Sequence, residues 1–162
     1  MLRAIERGRI RKIASRMTYR HTQTGWVVWA TCIGLLVLFE FVPSPGGRPE
    51  IFLPVCMSLL LAILALMGAL TVEVDDAAIR LRFGIGLVRK SFSLVDIDSC
   101  QPVRNRWWWG WGIRSIPQGW LYNVSRLDAV ELTLKNGKVF RIGTDEPRTL
   151  ADVIQARLRK PV

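Results

Sequence analysis

The sequence predicts a membrane α-helical hairpin followed by an α+β domain, in which an antiparallel sheet or partly open barrel is closed by a C-terminal helix. Two apolar runs, 25–42 and 51–72, predict the hairpin, because only the Pro- and Gly-rich turn 43–50 separates them. The domain, 73–162, is predicted by a change of period, since apolar residues now recur at every second position as in β-strands. A chain of 162 residues has room for one such domain beside the hairpin.

Residues 1–24 form a basic segment with seven Arg or Lys and one acid. Apolar residues recur at intervals of about three to five in residues 1–20, which favours an amphipathic helix lying on an anionic membrane surface. A disordered basic tail is the alternative, because Gly8 weakens a helix at this point.

The two apolar runs contain 18 and 22 residues. As helices they would be about 27 and 33 Å long, which is enough to cross a bilayer. The basic excess lies before the first run and after the second, so the positive-inside rule places both termini in the cytoplasm. We therefore expect a multi-pass protein of the bacterial cytoplasmic (inner) membrane.

Turn signals divide the segment after residue 72 into short strands. They occur at Asp75-Asp76 and at the glycines of 84–86. Asn136-Gly137 lies between two alternating segments and predicts a β-hairpin with a two-residue turn. The last predicted element is helix 146–159, which begins with acids and a proline, has an apolar stripe and ends with basic residues.

A tryptophan-rich segment, "WWWGWGIR" at 107–114, is the strongest candidate for a binding surface. If it is a strand, Trp109 and Trp111 face the same side and pack together, which leaves Trp107 and Trp108 nearer lipid or a partner. The candidate contact residues are Arg104, Arg106, Trp107, Trp108, Trp109, Trp111 and Arg114.

The segment from Val72 to Leu158 resembles the bacterial pleckstrin-homology-like (PH-like) domains that follow two transmembrane helices in small membrane proteins. The resemblance is carried by "WGWGIR" (109–114), "GWLYNVS" (119–125), "AVEL" (129–132) and "FRIGTDEP" (140–147). It implies a PH-like fold and a lipid-, peptide- or protein-binding role, and it implies no catalytic residue.

The sequence does not predict an enzyme. The one histidine, His21, lies beside the first apolar run, so we expect it to be far from the β domain and unavailable as a catalytic base. Phosphate-loop and dinucleotide fingerprints are absent, and no cysteine pair has the spacing of metal ligands. We predict no cofactor and no metal.

These observations favour a non-enzymatic integral membrane protein whose cytoplasmic PH-like domain binds lipid or protein beside the membrane. The alternative is a structural or assembly subunit of a larger membrane complex. The expected partners are anionic inner-leaflet phospholipids and either a membrane protein or a second copy of the chain. Nucleic acid is not expected, because lipid accounts for most of the net charge of +10.

Overall fold

The computed structural model of the protein describes residues 17–41, 46–47 and 51–159. Within this part of the chain there are three α-helices and nine β-strands. The helices are α1 Trp26–Phe41, α2 Phe52–Met67 and α3 Pro147–Leu158. The strands are β1 Met17–Thr24, β2 Ala69–Asp75, β3 Ala78–Phe83, β4 Val88–Ser93, β5 Ile97–Arg104, β6 Gly112–Ile116, β7 Gly119–Asn123, β8 Asp128–Leu134 and β9 Val139–Gly143.

The predicted transmembrane hairpin is wrong. No helix in the described part of the chain combines the length and apolar character needed to cross a lipid bilayer. Both α1 and α2 contain 16 residues, or about 24 Å, whereas the hydrocarbon core is about 30 Å thick. The run at 51–72 is shorter as a helix than predicted, because its last residues belong to β2.

This finding also corrects three expectations that depended on the hairpin. The multi-pass location in the bacterial inner membrane is not supported, and neither is the resemblance to proteins with two transmembrane helices. The fold class is α+β with two separate sheets and three helices, in place of a membrane hairpin joined to one antiparallel sheet or partly open barrel.

The first sheet is antiparallel in the order β1-β2-β3-β4. Its β2, β3 and β4 follow the predicted alternation and the predicted turns. Its edge strand β1 was not predicted, because residues 17–20 were assigned to a helical or disordered segment. The rest of that segment, residues 1–16, lies outside the described residues. β1 pairs with β2 from Tyr19↔Val74 to Thr24↔Ala69, so α1 and α2 are inserted between two paired strands.

The second sheet has the order β5-β8-β9-β7-β6 and is mixed, because β7 pairs with β9 in parallel. The predicted hairpin is present as β8 and β9, but its loop has three residues. Leu134 N donates to Lys138 O, while Lys135 N donates to Asp96 O, so Lys135 leaves the ladder and joins Asn136 and Gly137 in the loop. The pairing is therefore shifted by one residue from that of a two-residue turn.

One hydrophobic core lies between the two sheets and α3. The predicted helix 146–159 is confirmed as α3, which buries Leu150, Ala151 and Ile154 against the core. A side chain of α3 also contacts β5, where Gln155 Nε2 donates to Cys100 O at 3.1 Å. The largest fully buried core side chains are Leu70, Val74, Ile79, Leu81, Phe83, Val124, Val130, Leu132, Ile142, Leu150 and Ile154.

Two backbone hydrogen bonds fix the base of the helical hairpin to the first sheet. Gly25 N donates to Gly68 O at 2.9 Å, and Ile85 N donates to Ala65 O at 2.8 Å. Gly84 lies between these contacts with φ +47°, and a Cβ at this position would overlap the Ala65 carbonyl oxygen. Glycine is therefore required here both for its conformation and for the close approach of α2.

We predict that Gly84→Ala destabilises the protein by about 3 kcal/mol or more, because conformational strain and a backbone clash add together. Gly137→Ala is the matched control, since Gly137 has φ +78° but open space around it. It should cost about 1 kcal/mol from strain alone. Urea unfolding of both variants measures the difference, and equal losses would contradict the close approach.

A second prediction concerns Asp75, which is buried in the turn between β2 and β3. Burial raises the pKa of this carboxyl, but N–H donors from Ala77 (2.8 Å) and Ala78 (2.7 Å) and the guanidinium of Arg80 outweigh it, so the pKa is lowered. The stabilisation is therefore present above the unfolded pKa and is lost as the pH falls through the lower folded pKa.

Asp75→Asn should lower the free energy of unfolding at neutral pH by about 2 kcal/mol, because it removes a charged acceptor from these donors. It should also flatten the dependence of stability on pH below about 4. Asp98→Asn is the control, because Asp98 is exposed. Acid unfolding followed by circular dichroism tests this, and the same pH dependence in wild type and Asp75→Asn would contradict it.

Candidate binding surface at the tryptophan turn

The tryptophan-rich segment forms a 3₁₀ turn, Trp107–Trp109, between β5 and β6. It begins after Arg106, which is extended, and it ends at Gly110, where φ is +69°. We call residues 106–111 the tryptophan turn. It is not the strand that alternation suggested, because the 3₁₀ bonds Trp109 N to Arg106 O (3.1 Å) and Gly110 N to Trp107 O (3.2 Å) coil the chain.

The four indoles of the tryptophan turn differ in exposure. Trp107 is 69% exposed and Trp108 is 58% exposed, and their rings meet edge to face at 5.9 Å. Trp109 and Trp111 are half-buried. The indole N–H of Trp111 donates to the Ser125 carbonyl oxygen, which holds the turn against the end of β7. Two rings therefore support the turn and two face outward.

One of the candidate arginines contacts an outward-facing ring, and the other two lie in the strands on either side of the turn. The guanidinium of Arg106 lies 5.2 Å from the centre of the Trp108 ring, a cation–π contact. Arg114 Nε donates to Trp111 O at 3.1 Å, and Arg104 is exposed at the end of β5. Within the described residues none of these three arginines forms an ion pair, so their charge is available to an anionic partner.

A polar network under Trp109 supports the turn. The Arg141 guanidinium lies 4.8 Å from the centre of the Trp109 ring. Its Nε and Nη2 both bond Glu131 Oε2 at 2.7 Å, and Arg141 and Glu131 side chains are only 12% and 13% exposed. Gln101 Nε2 donates to the other Glu131 oxygen at 3.0 Å, and Asn105 Oδ1 accepts from Arg141 Nη1 at 3.3 Å.

Sequence reasoning missed this network, although the predicted hairpin has an acidic residue on one strand and a basic residue on the other. Glu131 and Arg141 are directly opposite each other across β8 and β9. The two-residue turn that we expected would have placed Arg141 opposite Leu132, so the ion pair became recognisable only once the three-residue loop was known.

The tryptophan turn lies at the same end of the molecule as the helical hairpin. Ser125, whose carbonyl holds Trp111, also accepts a hydrogen bond through its Oγ from Gln23 Nε2 at 2.6 Å. Gln23 is buried in β1, two residues before the Gly25–Gly68 contact at the base of the hairpin. The turn between β3 and β4 lies at this end too, with Ile85 67% and Leu87 73% exposed.

The position of His21 corrects another expectation, because it lies in β1 and not apart from the sheets. His21 Nε2 is 2.6 Å from Asp145 Oδ1, and Tyr19 donates to Glu146 Oε2 at 3.4 Å. Burial and then Glu146 raise the pKa of Tyr19 to about 12. These two contacts join β1 to the start of α3. No hydroxyl or thiol in the described residues bonds His21, so no nucleophile is hydrogen-bonded to it.

The described residues contain no group of three or more His, Cys, Asp or Glu side chains able to hold a metal ion. Of the three cysteines, Cys32 and Cys100 are buried, and burial raises the pKa of the Cys100 thiol. The tryptophan turn offers an aromatic and cationic surface for binding. No family model, curated protein or solved structure matches this chain.

We predict that Glu131→Gln lowers the free energy of unfolding by about 2 to 3 kcal/mol, because it leaves the Arg141 charge mostly buried without its partner. It should also loosen Trp109, so the Trp109 indole N–H signal in a ¹H–¹⁵N spectrum should shift more than that of Trp120. Asp98→Asn is the control, since Asp98 is exposed and forms no ion pair with any described residue. Equal stability of the two variants would contradict the support that we assign to the network.

Proposed function

We propose that this protein is a non-enzymatic binding protein that attaches through one end to the surface of an anionic phospholipid bilayer. The observation that carries the proposal is the exposure of Trp107 and Trp108 beside three unpaired arginines at the end where the helical hairpin begins. Tryptophan is favoured at the level of lipid headgroups, and each arginine near an anionic surface contributes about 1 kcal/mol.

The hairpin adds apolar surface at this end. α2 has no buried residue, and its apolar side chains are exposed except in its last turn and along one half-buried stripe, Phe52, Cys56, Leu60 and Leu64. A groove on a protein partner would cover one stripe of such a helix, whereas acyl chains can cover the whole of its exposed surface. The proposal requires that the hairpin contacts the acyl layer, and it does not require a helix to cross the bilayer. The exposed apolar residues of the hairpin include Trp26, Trp29, Ile33, Val37, Leu38, Phe41, Leu53, Val55, Leu59, Leu61 and Ile63.

The support under the tryptophan turn fits a contact surface. Trp109 and Trp111 are fixed by Arg141 and by the Ser125 carbonyl, so Trp107 and Trp108 are presented on a short, supported turn. A preorganised aromatic pair loses little conformational entropy when it binds. Ile85 and Leu87, exposed in the neighbouring turn, extend the same apolar end.

We predict that Trp107 and Trp108 enter the interfacial layer of the bilayer. In full-length protein bound to vesicles that contain brominated phosphatidylcholine, Trp107→Phe/Trp108→Phe should remove a strongly quenched part of the fluorescence. Trp120→Phe is the matched control, because Trp120 is 47% exposed and lies at the other end of β7. Trp120→Phe should remove fluorescence that the brominated lipid does not quench. If both variants lose the same quenched fraction of the fluorescence, the proposal is contradicted.

The arginines supply the second arm of this test. Arg104→Gln/Arg106→Gln/Arg114→Gln should weaken binding to vesicles with phosphatidylglycerol by about a hundredfold, and binding to pure phosphatidylcholine should change little. Arg159→Gln is the control at the far end of α3 and should have no such effect. Failure to bind either vesicle, with a discrete protein assembly formed instead, would overturn lipid attachment in favour of an assembly subunit.

A further inference from the structure

A second surface feature, separate from the tryptophan turn, is an open groove of about 710 Å³ between the two sheets. It is bounded by β4 of the first sheet and by the turns β6–β7 and β8–β9 of the second. Its volume is within the range of small-molecule sites. The side chains that matter for binding are Lys90, Gln118, Trp120, Tyr122, Lys138 and Phe140.

Aromatic rings form the inner wall of the groove. Tyr122 and Phe140 stack with centroids 6.4 Å apart, and the Lys90 ammonium lies 6.0 Å from the centre of the Phe140 ring. Trp120 is on the same face of β7 as Tyr122, because the two are separated by one residue, and it is 47% exposed. The groove therefore offers a flat apolar surface beside a cation.

The polar side chains that converge on this groove are mainly donors. Lys90 and Lys138 form no ion pair with any described residue, and no Asp or Glu lines the groove. The Tyr122 hydroxyl has no hydrogen-bond partner among the described residues, and burial raises the pKa of Tyr122, so it remains a donor at neutral pH. Unpaired ammonium groups and a phenol donor are complementary to an anion, and lysine binds phosphate well as a point charge.

The position of the groove indicates a ligand from solution. β7 begins at Gly119 beside the groove and ends at Asn123 near the tryptophan turn. The two ends of this strand are about 13 Å apart. A lipid headgroup held at the tryptophan turn would therefore not also fill the groove, which is left open to a ligand from solution.

We propose that the groove binds a small soluble organic phosphate, with the phosphate between Lys90 and Lys138 and a planar group against Trp120. The phosphate site does not depend on lipid attachment by the other end of the molecule, and only the choice of a soluble over a membrane-bound phosphate rests on the proposed function.

Titration of the full-length protein with adenosine monophosphate, a planar ring that carries a phosphate, tests the proposal. The Trp120 indole N–H signal should shift and saturate with a Kd below about 1 mM. Adenosine and inorganic phosphate, which each supply half of the recognition, should bind at least about tenfold more weakly. Anionic vesicles should not displace the nucleotide.

Lys90→Ala/Lys138→Ala should weaken nucleotide binding by about tenfold or more, and Trp120→Ala should weaken it as well. Lys90 and Lys138 are exposed, so the double variant should fold normally. Lys135→Ala is the matched control, because Lys135 is an exposed lysine in the loop just before Lys138 and does not line the groove. An unshifted Trp120 signal, unchanged affinity in the double variant, or equal binding of adenosine would overturn the proposal. Normal vesicle attachment in that case would show that only the groove had failed.

Discussion

The pairing of β1 with β2 is the constraint on which the other features depend. This ladder closes the chain around the whole segment from α1 to α2, and it is continued by the Gly25–Gly68 hydrogen bond. Closure of a long segment costs conformational entropy that grows slowly with its length, and a ladder of backbone hydrogen bonds offsets that cost. The helices are thereby held as an insertion at one end of the first sheet.

The same strand brings together distant parts of the sequence. Gln23 near its end bonds Ser125, the residue that also holds Trp111, and His21 contacts Asp145 before α3. One edge strand thus determines that the hairpin and the tryptophan turn share an end of the molecule. The groove lies at the other end of β7, so two chemically different surfaces, one apolar with arginines and one aromatic with lysines, are separated by the length of a strand.

The loop between β8 and β9 shows how a small local difference decides a site. Lys135 N donates to Asp96 O in another part of the chain and so leaves the ladder. The resulting shift of one residue places Arg141 opposite Glu131 on the outer face of the sheet. The ion pair then lies under Trp109, and the tryptophan turn has a rigid support.

By itself the sequence determined the elements that rest on local patterns. The alternation and turns of β2, β3 and β4, the hairpin at Asn136-Gly137 and the helix that became α3 were all predictable, because period and turn chemistry are encoded by neighbouring residues. The candidate residues Arg104 to Arg114 were chosen by composition, and their role as a contact surface stays a prediction. The strand β1 was not predictable, because its sequence "MTYRHTQT" is polar. It forms a strand only as the edge of a sheet whose other strands begin 45 residues later. Tertiary structure alone decided how much of each apolar run is helical, which indoles are exposed, and where the unpaired lysines converge, since each depends on contacts between segments that are far apart in the chain.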